Sequence, residues 1–258
     1  MDKKIWTTSD LDDLNQWLDL DDLKQWFDDF KQWLDDLKSS KRNDYSNFSE
    51  SIGGSPFVKY HYSLCTDKSL DEELRNELWF DFGLCHREKA TELLLSKLDN
   101  NEDTEFYSEI INCLVRIVEK VEDEKRVLEY ARKFVNADDA YLRYNAIGVL
   151  CAFGSKKDFP LLGEHLQNDI NAHCRAWAAL YFTHRKRQSW VDKALPYLKQ
   201  AISQETDYYA LSMMIEAVKE LTGKNFGLSQ KAMRDTNKEK IDAAKQKVER
   251  FFKERYNE

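Results

Sequence analysis

Three observations predict an all-α fold, an α-solenoid of stacked antiparallel helix pairs. Only three prolines and eight glycines punctuate 258 residues, which favours long helices joined by short turns over sheet. Between residues 136 and 182 one pattern is stated twice. NADDAYLRYNAIGVLCAFGSKKDFPLLGEHLQ is followed by NDINAHCRAWAALYF, where an Asn/Asp turn again leads to an arginine and then to an apolar helix face. Arg143 and Arg175 stand 32 residues apart, and Ala146 and Ala178 follow each by three, the period of helix-pair repeats. Weaker copies flank these two. DEELRNELWFDFGLCH with REKATELLLSKLDNN forms a pair around Arg75, and EDTEFYSEIINCLVRIVEKV with EDEKRVLEYARKFVN forms one around Tyr107. TDYYALSMMIEAVKELTGKNFG supplies the first helix of a fifth pair around Leu211. A single pair cannot bury its apolar stripe, so neighbours must stack.

The passage DDAYLRYNAIGVLCAFGSKKDFPLLGEHLQNDINAHCRAWAAL resembles bacterial HEAT repeats, with Asp138 or Asp139, Arg143, Gly154 and Pro160 in the turn, arginine, glycine and proline slots. The second copy has Asp169 and Arg175 but replaces the glycine turn with THRKRQ, and LTGKNFG at 221–227 is similar to a segment that closes such arrays. The resemblance spans residues 70–228 and specifies a fold. It implies that Arg143 and Arg175 are structural, each bonding to acidic groups of a neighbouring turn.

The ends are expected to cover the apolar faces that a stack leaves open. In 229–258, Met233, Ile241, Ala244, Val248 and Phe251 or Phe252 recur every three or four residues with one longer step, which predicts a C-terminal capping helix. Residues 1–38 hold acidic heptads of the form LDDLKQW. The pair Leu18-Asp19 throws the first copy out of phase, by roughly 200° at 3.6 residues per turn, so two amphipathic helices with a break near Asp19 are expected. In the second, Leu20, Leu23, Trp26, Phe27, Phe30, Trp33, Leu34 and Leu37 fill one arc, and Asp21, Asp22, Asp28, Asp29, Asp35 and Asp36 line much of the other. Residues 39–69 read as a linker or strap, in which the alternation of FVKYHYSL fits a short strand or extended backbone.

The net charge of −8 argues against a phosphate-backbone binder and favours basic partners. It is uneven: −6 over 1–38, +3 over 229–258, and −5 between. Five cysteines occur singly and without a CxxC pair, so no zinc knuckle or disulfide framework is indicated. The start, MDKKIWTTSD, has no apolar core of a signal segment, and a reducing cytoplasm is the expected location. No nucleophile elbow, phosphate loop or HExxH sequence occurs, so no catalytic residue, cofactor or metal is expected. His86 adjoins Cys85 and His173 adjoins Cys174, but adjacent residues point to different helix faces. Membrane binding is not expected, because interfacial helices carry Lys or Arg on the polar face.

These features predict a non-enzymatic protein-binding module that is monomeric or weakly self-associating. Its form resembles HEAT-like immunity proteins of bacterial polymorphic-toxin and contact-dependent inhibition systems. That resemblance implies a basic, nuclease-type toxin domain as partner, with acidic side chains standing in for phosphates. Candidate contact residues are Asp28, Asp29, Asp35 and Asp36 with Trp26 or Trp33 as an aromatic anchor, and a wall built by the second helix of each pair, including Glu92, Glu129, Glu164 and Asp192. Two alternatives are a scaffold that self-associates through the heptad helix and a HEAT-like DNA glycosylase or lyase. Against the latter, such grooves are basic, and no Trp within the repeats has an Asp one helical turn onward.

Overall fold

A computed structural model describes residues 58–183 and 188–257 of the chain. The acidic heptads, with Trp26, Asp28, Asp29, Trp33, Asp35 and Asp36, lie outside the described residues, as does the strap up to residue 57. Every described element is helical, and they fall into two compact units, Met1–Asp123 and Glu124–Glu258.

The first unit holds α1 (Val58–Cys65), α2 (Glu72–Asp99), a 3-10 turn at Thr104–Phe106, α3 (Tyr107–Ile117) and the start of α4 (Val121–Phe134). The described part of FVKYHYSL, residues 58–64, is not a strand or an extended strap. From Val58 onward it is helix, because its buried residues are His61, Tyr62 and Cys65, at steps of one and three rather than two. Asp71 starts α2 by accepting from the amides of Glu73 and Leu74. The two helices expected around Arg75 are present within the run Glu72–Asp99, parted at Arg87, whose backbone (φ 27°, ψ −96°) leaves the helical region.

Between α1 and α2 lies a buried ring cluster. His61 places Nε2 3.1 Å from the Leu78 carbonyl and Nδ1 3.2 Å from Nε2 of His86. Phe82 meets His61 edge-on at 5.4 Å, and Trp79 meets Tyr62 in the same way at 5.7 Å. Burial, with His86 adding to it, pushes the His61 imidazole down to about 3.

The second unit is a two-layer stack. Its helices are α5 (Ala140–Phe153), α6 (Phe159–Asn168), α7 (Ala172–Tyr181), α8 (Gln188–Gln204), α9 (Tyr208–Thr222), α10 (Gln230–Arg234) and α11 (Lys238–Tyr256). The first helices α5, α7 and α9 lie side by side, while α6, α8 and α11 form the other layer. Small residues let the backbones approach. Ala146, Ala178, Ala179 and Ala217 are fully buried with Ile147, Leu150, Leu195, Leu198, Met214 and Ile215. Residues 229–258 do not form one capping helix. Ser229 caps α10, Thr236 takes a left-handed backbone (φ 46°), and Asn237 caps α11 anew. Met233, Ile241, Ala244, Val248, Phe251 and Phe252 are all buried.

Two glycines of this unit test the packing. A Cβ on Gly163 of α6 would lie 2.3 Å from the Tyr197 ring of α8, whereas one on Gly148 of α5 would meet nothing within 4 Å. Gly148→Ala should therefore stabilise by about 0.5–1 kcal/mol through helix propensity. Gly163→Ala should forfeit that gain and destabilise by about 1–3 kcal/mol, with urea midpoints as the measure.

The histidine cluster makes stability pH-dependent. Between about 3 and 6.5 the unfolded chain binds a proton that folded His61 refuses, so its contribution is full above 6.5 and falls as pH drops through that window. The slope it adds is at most about 1.4 kcal/mol per pH unit. Urea midpoints at pH 7.5 and 5.5 should show that His61→Gln flattens the dependence. Comparison with wild type separates His61 from Asp81, whose carboxyl is raised to about 6 by burial and by Glu77 and acts in the opposite direction.

Candidate interaction surface

The arginines of the repeat are turned inward. Arg143 donates Nε and Nη2 to the two carboxylate oxygens of Asp169 at 3.0 and 2.9 Å, and Nη1 to the carbonyls of Ala137 and Asp138, both at 2.8 Å. Arg175 repeats the arrangement one pair later. Nε and Nη2 go to Glu205 at 2.7 and 2.8 Å, and Nη1 to the carbonyls of Asp169 and Ile170 at 2.8 and 3.3 Å. The guanidinium fork suits this double task, because three nitrogens face two kinds of acceptor in one plane. Asp169 also accepts from the amide of Asn171 and from Nδ1 of His165 at 3.0 Å. Burial alone would raise the Asp169 carboxyl, but bonds from His165, Arg143 and Asn171 outweigh it and hold the group well below the usual carboxylate range. A third link of this kind joins Arg132 of α4 to buried Asp158 at 2.8 and 3.2 Å.

The module has a fixed register. An acid at 169 or 205 precedes the helix cap by two, Asn171 or Asp207, and its own oxygen accepts the amide of that cap residue. In the first copy Ala137 fills the acid position, and in the last Leu211 fills the arginine position. The Glu205 partnership was not read from the sequence, although its place two residues before a cap was the available signal.

The same register carries aromatic rings outward. Tyr141, His173 and Tyr209 each stand two residues after a cap, at Asp139, Asn171 and Asp207. Tyr141 is 53% exposed and stacks on Tyr144 at 6.2 Å; Tyr144 meets Trp177 at 5.1 Å, and His173 meets Tyr209 at 4.7 Å. The result is a row of partly exposed rings across α5, α7 and α9, the residue type enriched at protein interfaces.

Of the predicted acidic wall, Glu92 lies on the second half of α2 in the first unit, while Glu129, Glu164 and Asp192 lie on α4, α6 and α8 of the second. All four are exposed. Asp192 is paired with Arg255 of α11 at 2.7 Å, whereas Glu129 and Glu164 have no ion pair among the described residues. No group of three or more His, Cys, Asp or Glu among the described residues is arranged to hold a metal ion. The cysteines Cys65, Cys113, Cys151 and Cys174 are free and buried, and burial pushes the Cys113 and Cys151 thiols up to about 12, away from nucleophilic chemistry. No described helix is long and apolar enough to cross a membrane.

Residues 91–183 match the family model described as HEAT repeats. No curated protein and no solved structure matches the chain. The repeat match and the helical architecture agree on an all-α protein of HEAT-like helix pairs.

Removing one partner of a buried pair leaves an uncompensated charge. Asp169→Asn should therefore destabilise by about 3 kcal/mol, read by urea unfolding. Glu205→Gln should cost less, because the Arg175 side chain is 16% exposed against 8% for Arg143.

Proposed function

We propose that this protein is a non-enzymatic binding module for a basic protein partner. More specifically, we propose an immunity protein that binds and neutralises a nuclease-type toxin domain in the bacterial cytoplasm. The observation that carries the reading is the sorting of charge. Arg143 and Arg175 are consumed by buried carboxylates, while Glu129 and Glu164 face solvent without an ion pair among the described residues. With a net charge of −8, the protein draws cationic surfaces at long range, and the ring row on α5, α7 and α9 offers rigid apolar contact area on the first-helix layer. HEAT repeats are protein-interaction modules, which supports a protein as the bound species. The N-terminal acids Asp28, Asp29, Asp35 and Asp36 add to the negative charge of the sequence and belong to the same proposal, with Trp26 or Trp33 as anchor.

The test is capture from the native host with the full chain, followed by mass spectrometry. The expected product is a protein of net positive charge whose retention falls steeply with salt. Charge reversal to Lys at Asp28, Asp29, Asp35 and Asp36, and separately at Glu129 and Glu164, should weaken capture. Retention that is indifferent to both salt and reversal contradicts an electrostatic partner, and a nuclease whose activity is unaltered in the complex removes the immunity role.

A further inference from the structure

The ring row of the first-helix layer is continuous across three helices. Tyr141 and Tyr144 stack on α5 at 6.2 Å, Tyr144 meets Trp177 of α7 at 5.1 Å, and His173, one turn before Trp177, meets Tyr209 of α9 at 4.7 Å. Tyr141 and His173 are exposed, and the other three rings are half-buried. Gly148 lies one turn beyond Tyr144 on the same helix face. A Cβ there would meet nothing within 4 Å, so the row borders open space that an incoming side chain can enter.

Charge selects the occupant. Helices α5, α7 and α9 contain three Lys or Arg residues between them. Each is paired: Arg143 with Asp169, Arg175 with Glu205 and Lys219 with Glu216. Asp138 and Asp139 before α5, and Glu220 near the end of α9, are exposed and have no ion pair among the described residues. The faces of Tyr and Trp rings are themselves negative and attract the cations of Arg and Lys. A layer whose own cations are all taken, flanked by acids and lined by such rings, complements a positively charged segment.

Spacing selects the conformation of that segment. Tyr141, His173 and Tyr209 hold the same place in successive repeats, two residues after each cap, so they stand one helix-to-helix step apart. That step is roughly 8–10 Å for packed helices. A polyproline II segment rises about 3.1 Å per residue with three residues per turn, so every third side chain recurs on one side after roughly 9 Å. A β-strand repeats on one face after about 6.6 Å and falls out of step. Aromatic surfaces are known to take polyproline II segments, whose preset conformation lowers the entropy lost on binding. We propose that the ring row binds a polyproline-II-like segment of the partner that carries Arg or Lys at every third position. The assignment rests on the reading of a basic protein partner and names the pattern that partner must display.

The experiment follows the ring signals of Tyr141 and Trp177 by NMR while synthetic peptides are titrated into the full chain at low salt. Acetyl-Arg-Pro-Pro-Arg-Pro-Pro-Arg-amide has the three-residue spacing. Acetyl-Pro-Arg-Pro-Arg-Pro-Arg-Pro-amide has the same composition and charge at a two-residue spacing. The first should shift both rings saturably and bind at least about fivefold more tightly than the second, which loses one or two ring contacts. Tyr141→Leu, an exposed change that keeps apolar area but removes the ring, should weaken the first peptide about twofold to fivefold, the worth of one exposed cation–π contact. Tyr141→Phe keeps the ring and should bind it as wild type does. The assignment falls if the rings stay unmoved, if the two peptides bind alike, or if Tyr141→Leu binds as tightly as Tyr141→Phe. Failure to capture a basic protein from the host, with the ring shifts intact, would count against the partner reading alone.

Discussion

The carboxylate of Asp169 is the constraint on which the second unit depends. Its side chain takes the fork of Arg143, and its backbone carbonyl takes Nη1 of Arg175, so one residue links two successive helix pairs. Desolvating such charges is costly, and the arrangement is favourable only because every guanidinium nitrogen has an acceptor and the carboxylate has amide and imidazole donors besides. Over-determination of this kind fixes the rotation of each pair against the next. The series stops where the chain drops a member, at Ala137 before the first arginine and at Leu211 after the last acid.

Turning the arginines inward decides what the surface can recognise. Cations that would otherwise neutralise the first-helix layer are buried in the turns, and the outer positions two residues after each cap are ring residues instead. Glu129 on α4 and Glu164 on α6 stay in solvent. Structure and recognition thus use the same repeat register. The acid and arginine positions hold the pairs together, and the ring and surface-acid positions face outward.

Much of this frame was legible in the sequence, because a period of 32 to 36 residues with an arginine at fixed phase leaves little choice of fold. The break after His86 was legible as a pair boundary, but its form as a kink at Arg87 was not, since only the backbone angles distinguish a bend from a loop. Alternation misled at 58–65. In FVKYHYSL polar and aromatic residues alternate by chance, and burial of His61, Tyr62 and Cys65 against α2 overrode that pattern. The C-terminal apolar spacing identified the buried face but not the break at Thr236, because Asn237 as a cap competes with helix continuation in a way that periodicity does not register. The partnership of Arg175 with Glu205 was signalled only by the place of Glu205 two residues before the cap Asp207, and the unpartnered Nε2 of His165 depends on three-dimensional neighbours alone.

Native-state hydrogen exchange on the second unit tests the role of Asp169 most directly. If the arginine links bind successive pairs into one body, the slowest amides of α5, α7 and α9 will open with a common free energy in the wild type, and Asp169→Asn will release α5 into a lower-energy opening of its own. Wild-type amides of α5 that already open independently of α7 and α9 would contradict that coupling.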